Sequence, residues 1–138
     1  MMFKKNAILK IILLLVFSDI LETFSQFCFK KSALLSGPFQ IKAFSDAVTF
    51  AKTSALSPFL WVALISVFLT FIIWATVLSK VDLSVAHPIA SFSYILVPLV
   101  SIVFFHEKIA ALGWVGIIFI LIGAIFVSLS SKEKEDIL

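Results

Sequence analysis

The chain has one cysteine, no arginine, and charged residues at only 14% of its 138 positions. Each scarcity excludes something. The lone Cys28 allows no intramolecular disulfide and supplies no metal-ligand set, so on its apolar segment it reads as a packing residue. His87 and His106 find no third ligand at useful spacing, so neither zinc nor any cofactor is expected. Without arginine, all eleven cations are lysines. They sit singly or in pairs between apolar runs, which is not the basic stripe that nucleic acid requires. The shortage of charge weighs most. With 62% hydrophobic residues, 16 Phe and a mean hydropathy of +1.17, a soluble domain of this length would leave large apolar areas in water.

What is present is four long apolar runs, at about 7–29, 58–78, 84–105 and 111–129. Each suffices, as a helix rising about 1.5 Å per residue, to cross a hydrocarbon core of about 30 Å. Lys4, Lys5 and Lys10 ahead of Ile11 imitate a signal peptide, yet the run continues past Asp19 and Glu22 to Phe29 with no small-residue cleavage pattern, which predicts a retained span. Gly37 and Pro38 then break the chain. Ile41, Phe44, Val48 and Ala51 recur near helical period while Lys42, Asp46 and Lys52 interrupt them, so 38–56 reads as a short amphipathic insertion at the membrane surface, or else as an irregular loop.

In the second run Pro58 suits a helix start. Trp61 and Trp74 stand near its two ends as interfacial anchors or, alternatively, as cavity lining. The third run carries Pro88 and Pro98, which free backbone carbonyls that a bilayer tolerates only against protein or a cavity; after helix 1 it is the expected substrate-facing wall. Gly116 and Gly123 in the fourth run permit close helix approach, within the chain or across a dimer. The expectation is an all-α integral membrane protein: one domain over 1–138, a four-helix bundle with an added amphipathic helix, multi-pass in the bacterial cytoplasmic membrane. Six lysines (4, 5, 10, 80, 132, 134) fall on the side of the termini and five (30, 31, 42, 52, 108) on the other, so charge barely orients the bundle.

Asp19 and Glu22 are the residues least suited to lipid. Three apart on one helix, they point roughly to one face, where a neighbouring helix or a wet cavity receives them. Glu22 is a candidate for substrate binding or proton coupling, with an interhelical hydrogen bond as the alternative; Asp19 either shares its proton or faces a vestibule. His87 is a candidate contact for phosphate or carboxylate, against a surface or capping role. Ser93 and Tyr94 are candidate hydroxyl contacts for a sugar or headgroup, against helix packing. Lys30, beside Lys31, stands at one mouth of the bundle and can attract a lipid phosphate, although surface lysines also favour anionic headgroups without specificity. His106 and Glu107 read as a turn and interface pair.

These residues carry a resemblance. Glu22-Thr-Phe-Ser-Gln-Phe-Cys-Phe-Lys30 resembles the small multidrug resistance pattern of a membrane-embedded Glu followed eight residues later by Lys. Ser84-Val-Ala-His-Pro88 with Phe104-Phe-His-Glu-Lys108, and Gln26, Cys28 and Lys30 in helix 1, resemble the branch of the drug/metabolite transporter (EamA-like) superfamily that contains the subunits of the 4-amino-4-deoxy-L-arabinose-phosphoundecaprenol flippase. The similarity covers the chain except 38–56, and it implies the four-helix transporter fold. The flippase branch generally lacks an acid at the position of Glu22, whereas the multidrug branch uses one there for cations and protons; the multidrug branch has Tyr where this chain has His87. By resemblance the chain is therefore a non-enzymatic transporter or flippase subunit. It moves a lipid-linked sugar or similar phosphate-bearing amphiphile, working as a homodimer or as a heterodimer with a similar four-helix subunit. The alternatives are a proton-coupled exporter of small organic cations and a noncatalytic subunit of a larger complex.

Overall fold

The computed structural model describes residues 2–37 and 44–135, as six helices: α1 (Met2–Leu35), α2 (Phe44–Leu56), α3 (Pro58–Leu78), α4 (Leu83–Ala90), α5 (Ser93–Phe105) and α6 (Ala111–Glu135). Residues 38–43 of the amphipathic insertion lie outside the described residues. Among the described residues four segments are long and apolar enough to cross a membrane: Leu9–Leu35, Pro58–Leu78, Leu83–Phe105 and Ala111–Ser130. The protein is an all-α multi-pass membrane protein with a short helix, α2, between the first two spans.

Helix α1 runs past the Phe29 boundary suggested by its lysine pair because nothing in 30–35 breaks a helix. Its end comes at Gly37, whose φ of 90° lies in the left-handed region that glycine adopts without strain. The Ser36 and Gly37 amides close the last turn onto the carbonyls of Ser32 and Leu34. Ser54 Oγ, from the end of α2, donates to Ser36 Oγ at 2.9 Å, and Trp61 Nε1 donates to the Ala55 carbonyl at 2.9 Å. These bonds fix the corner where Pro58 starts α3.

The bundle is centred on α1, which packs most extensively on α3, then on α5 and α4. Small residues bring α1 and α3 together. Ser18, Ser25 and Ser32, seven apart, are all buried on α1, as are Ala63 and Ser66 on α3. A seven-residue repeat returns to nearly the same helix face, so the serines form one seam that lets backbones approach closely. Ser18 and Ser25 satisfy their hydroxyls on their own helix, donating to the carbonyls of Leu15 and Glu22 at 2.7 Å, as lipid requires. Leu15, Val77 and Ala86 then close a small apolar core between α1, α3 and α4.

The third span is broken between α4 and α5. Ser91 Oγ donates to the Pro88 carbonyl at 2.6 Å and Ser93 Oγ to the Ala90 carbonyl at 3.0 Å. The Phe92 amide meanwhile bonds Ile89, three residues back. Hydroxyls that occupy helix carbonyls compete with the regular ladder and bend the helix. Helix α6 joins the bundle chiefly through α4, and none of its membrane-length stretch is buried within the described chain.

Candidate functional site: a polar groove along α1

Above the Leu15 core, α1 presents Asp19, Glu22, Gln26 and Lys30. At 1.5 Å per residue, Lys30 lies about 16 Å along the axis from Asp19. Asp19 is 0% exposed, and neither of its carboxylate oxygens has a hydrogen-bond partner among the described residues. Glu22 is half-buried and borders a cavity of about 290 Å³ between α1 and α3, with Ser25, Gln26, Val67, Thr70 and Trp74. The Thr70 hydroxyl there is also buried without a partner among the described residues.

Gln26 also borders a second cavity, of about 370 Å³, between α1 and α5, which includes Lys30, Ser101 and Phe105. The two openings therefore adjoin along one helix. The second is of a size that takes a small ligand or headgroup. A third cavity of about 350 Å³ shares Thr23, Phe27 and Val100 with it, and is otherwise lined by Ile20, Phe24, Leu96 and Phe104. Ile20, Phe24 and Phe104 are exposed apolar residues on the outer surface of the α1–α5 seam. Two mainly apolar chambers thus lie side by side with walls in common, and the first adds Gln26, Lys30 and Ser101 to its lining.

Lys30 closes the mouth. Its ammonium donates to Ser101 Oγ at 2.8 Å and pairs with Glu107 Oε2, while Ser101 Oγ donates to the same Glu107 oxygen at 2.5 Å. The Lys30 charge lies 4.7 Å from the centre of the Phe105 ring, and Lys31 lies 4.6 Å from that of Phe59, both within cation–π range. Glu107 reaches this position because His106, with φ 54° and ψ 32°, ends α5 in the left-handed region and folds the chain back. The hydrogen bond from Lys30, helped by Ser101, holds the Glu107 carboxyl below the usual carboxylate range. A depressed native pKa means that the tie is present above the ordinary carboxylate range and is lost as pH falls through the lowered value.

Of the residues singled out in the sequence, Glu22 and Lys30 border the two openings, while Asp19 is buried on the same helix and lines neither. His87, Ser93 and Tyr94 border neither the Glu22 nor the Lys30 cavity. The His87 ring is exposed and lies 6.4 Å from that of Trp74, Ser93 is buried with its hydroxyl on Ala90, and Tyr94 is exposed. The groove adds Gln26, Thr70, Ser101 and the Glu107 contact. Among the described residues no group of three His, Cys, Asp or Glu is placed to hold a metal ion.

The sequence matches the EamA-like transporter family over residues 6–129. It is similar to a protein of Yersinia pestis (strain Pestoides F) named as a probable 4-amino-4-deoxy-L-arabinose-phosphoundecaprenol flippase subunit, ArnE, with 34% identity over 67 residues. That alignment covers 49% of this chain and 59% of the relative. A Pseudomonas fluorescens protein of the same name is 27% identical over 90 residues, 65% of this chain and 79% of the relative. The chain thus spans about three fifths of the length of the Yersinia relative, and no solved structure matches it. With a match running through all four membrane-length helices, the chain belongs to the EamA-like transporter family.

Proposed function

We propose that the protein is one subunit of a flippase-type transporter in the bacterial cytoplasmic membrane, carrying a phosphate-bearing lipid-linked sugar between leaflets. The observation that carries this reading is the pairing of chambers between α1 and α5. The one that carries Lys30, Gln26 and Ser101 offers a headgroup its polar contacts, and the almost wholly apolar one beside it opens on exposed Ile20, Phe24 and Phe104, where a hydrocarbon chain stays in lipid. Lys30 meets the phosphate. Glu22 is about 12 Å further along the axis, and two side chains reaching toward each other shorten that gap to the scale of a sugar phosphate. An amine on the sugar, as in the relatives' named substrate, would find the Glu22 carboxylate there, with Asp19 buried one turn behind it.

Four helices make half a groove, so a second copy or a similar subunit completes it, and rocking of the two halves alternates exposure. The uncovered face of α6 supports this reading. A side chain added at Gly116 or Gly123 meets no atom of the chain within 4 Å, so packing within the chain does not require those glycines. The double change Gly116→Leu with Gly123→Leu is expected to leave helicity intact and weaken subunit association about tenfold or more, by removing the close approach; sedimentation in detergent reads it. Unchanged association would assign those glycines elsewhere.

The second reading, export of small organic cations, is favoured by the Glu22 chamber, where the carboxylate shares a wall with Trp74. Transport in proteoliposomes decides, comparing a polyprenyl-phosphate-linked amino sugar with hydrophobic cations across pH. Glu22→Gln is expected to abolish pH-dependent cation movement under the second reading and to leave substantial lipid-linked transport under ours. Movement of cations alone would overturn our reading.

A further inference from the structure

At the mouth of the groove two donors, the Lys30 ammonium and the Ser101 hydroxyl, converge on one anionic oxygen, Oε2 of Glu107. Lys30 and Ser101 both line the adjoining cavity of about 370 Å³, whereas Glu107 belongs to the turn outside it. The acceptor is thus the replaceable member of the set: the donors stand on α1 and α5, and the acceptor arrives on a turn held by the left-handed His106. We propose that Glu107 is a built-in competitor at an anion site. Its carboxylate holds the place of a phosphate oxygen, and a phosphate-bearing ligand enters by displacing it and releasing the His106–Lys108 turn.

This rests on the reading that the Lys30 mouth receives a phosphate. Several features make displacement feasible. The Glu107 side chain is 50% exposed and that of Lys30 32% exposed, so the bond is of the surface kind that contributes little net stability. A phosphate brings more than one anionic oxygen to the same two donors, and Lys30 stays anchored over Phe105 as the acceptor changes. The displaced carboxylate moves into water, where it needs no new partner. Lys31, turned toward Phe59, is not part of the exchange but keeps the mouth positive. The bond therefore guards the groove: without ligand Lys30 is neutralised and weakly attracts passing anions, and only a ligand that offers phosphate oxygens at that point opens the turn.

The test uses the full chain in neutral phosphatidylcholine nanodiscs, titrated calorimetrically with farnesyl phosphate, a membrane-held probe, and with inorganic phosphate, a soluble one. If the closed state holds about nine tenths of the molecules, removing the competitor tightens binding about tenfold. Glu107→Gln is expected to bind one or both probes more tightly by that order, and the probe that gains identifies the source, lipid headgroup or free phosphate. Lys30→Gln is expected to lose binding, and the double variant to bind no better than Lys30→Gln, because the competitor acts only through Lys30. A nitroxide at Lys108→Cys in a Cys28→Ala background is expected to gain mobility when the gaining probe saturates. Loss of binding in Lys30→Gln with no gain in Glu107→Gln would overturn the competitor while leaving the anion site standing. Indifference of both variants would overturn both, and a label that stays immobile at saturation would refute displacement.

Discussion

Lys30→Gln is expected to lower transport of a polyprenyl-phosphate-linked sugar by about tenfold to hundredfold, mainly through weaker capture. A hydrogen bond to a charged group contributes about 1.5–3 kcal/mol, and each 1.4 kcal/mol is a factor of about ten. The glutamine removes the cation that faces Ser101 and the α1–α5 cavity. Lys30→Arg should recover part of the rate. It restores the charge, but a planar fork does not reproduce the geometry of a compact ammonium above Phe105. Initial rates in proteoliposomes over a range of substrate density separate capture from turnover, and a native rate in Lys30→Gln would remove the phosphate contact from α1.

Much of the architecture was legible because it is written in local pattern. Four apolar runs of membrane length and one interrupted amphipathic stretch correspond to four spans and α2, since length against bilayer thickness leaves few alternatives. The α1–α3 seam was not read from the sequence, although Ser18, Ser25 and Ser32 recur at intervals of seven, because a serine repeat is less conspicuous than a pair of acids. The hydroxyls of the third span point to a different lesson. Ser93 reads from sequence as a headgroup contact, yet beside Pro88 its cheapest acceptor is the carbonyl three residues back, and the bond goes there. Lys30 and Glu107, 77 residues apart, become partners only when α1 packs on α5 and His106 turns the chain back. Spacing along the chain carries no such information. The acid-bearing helix was legible in Asp19 and Glu22 themselves and the family resemblance supplied the transporter class, while the two adjoining chambers between α1 and α5 emerge only from packing.

Asp19→Asn is expected to abolish net transport, by about a hundredfold or more, in a protein that still folds, while Asp19→Ala is expected to unfold later than the native chain. Both follow from the same geometry. The carboxyl is 0% exposed one turn above the Leu15–Val77–Ala86 core, with both oxygens unpartnered among the described residues. A polar group buried without a hydrogen bond costs about 1–3 kcal/mol by mutational measure. Alanine relieves that cost and leaves only a small void, so the thermal midpoint in detergent should rise by several degrees. On the proposed function this buried group waits for something that arrives during the cycle, a proton or a cationic part of the cargo, and asparagine can take up neither. Transport across pH together with the unfolding midpoint reads both halves. Native rates in Asp19→Asn at every pH would make the carboxyl a bystander, and earlier unfolding of Asp19→Ala would mean that it already holds a partner in the resting bundle.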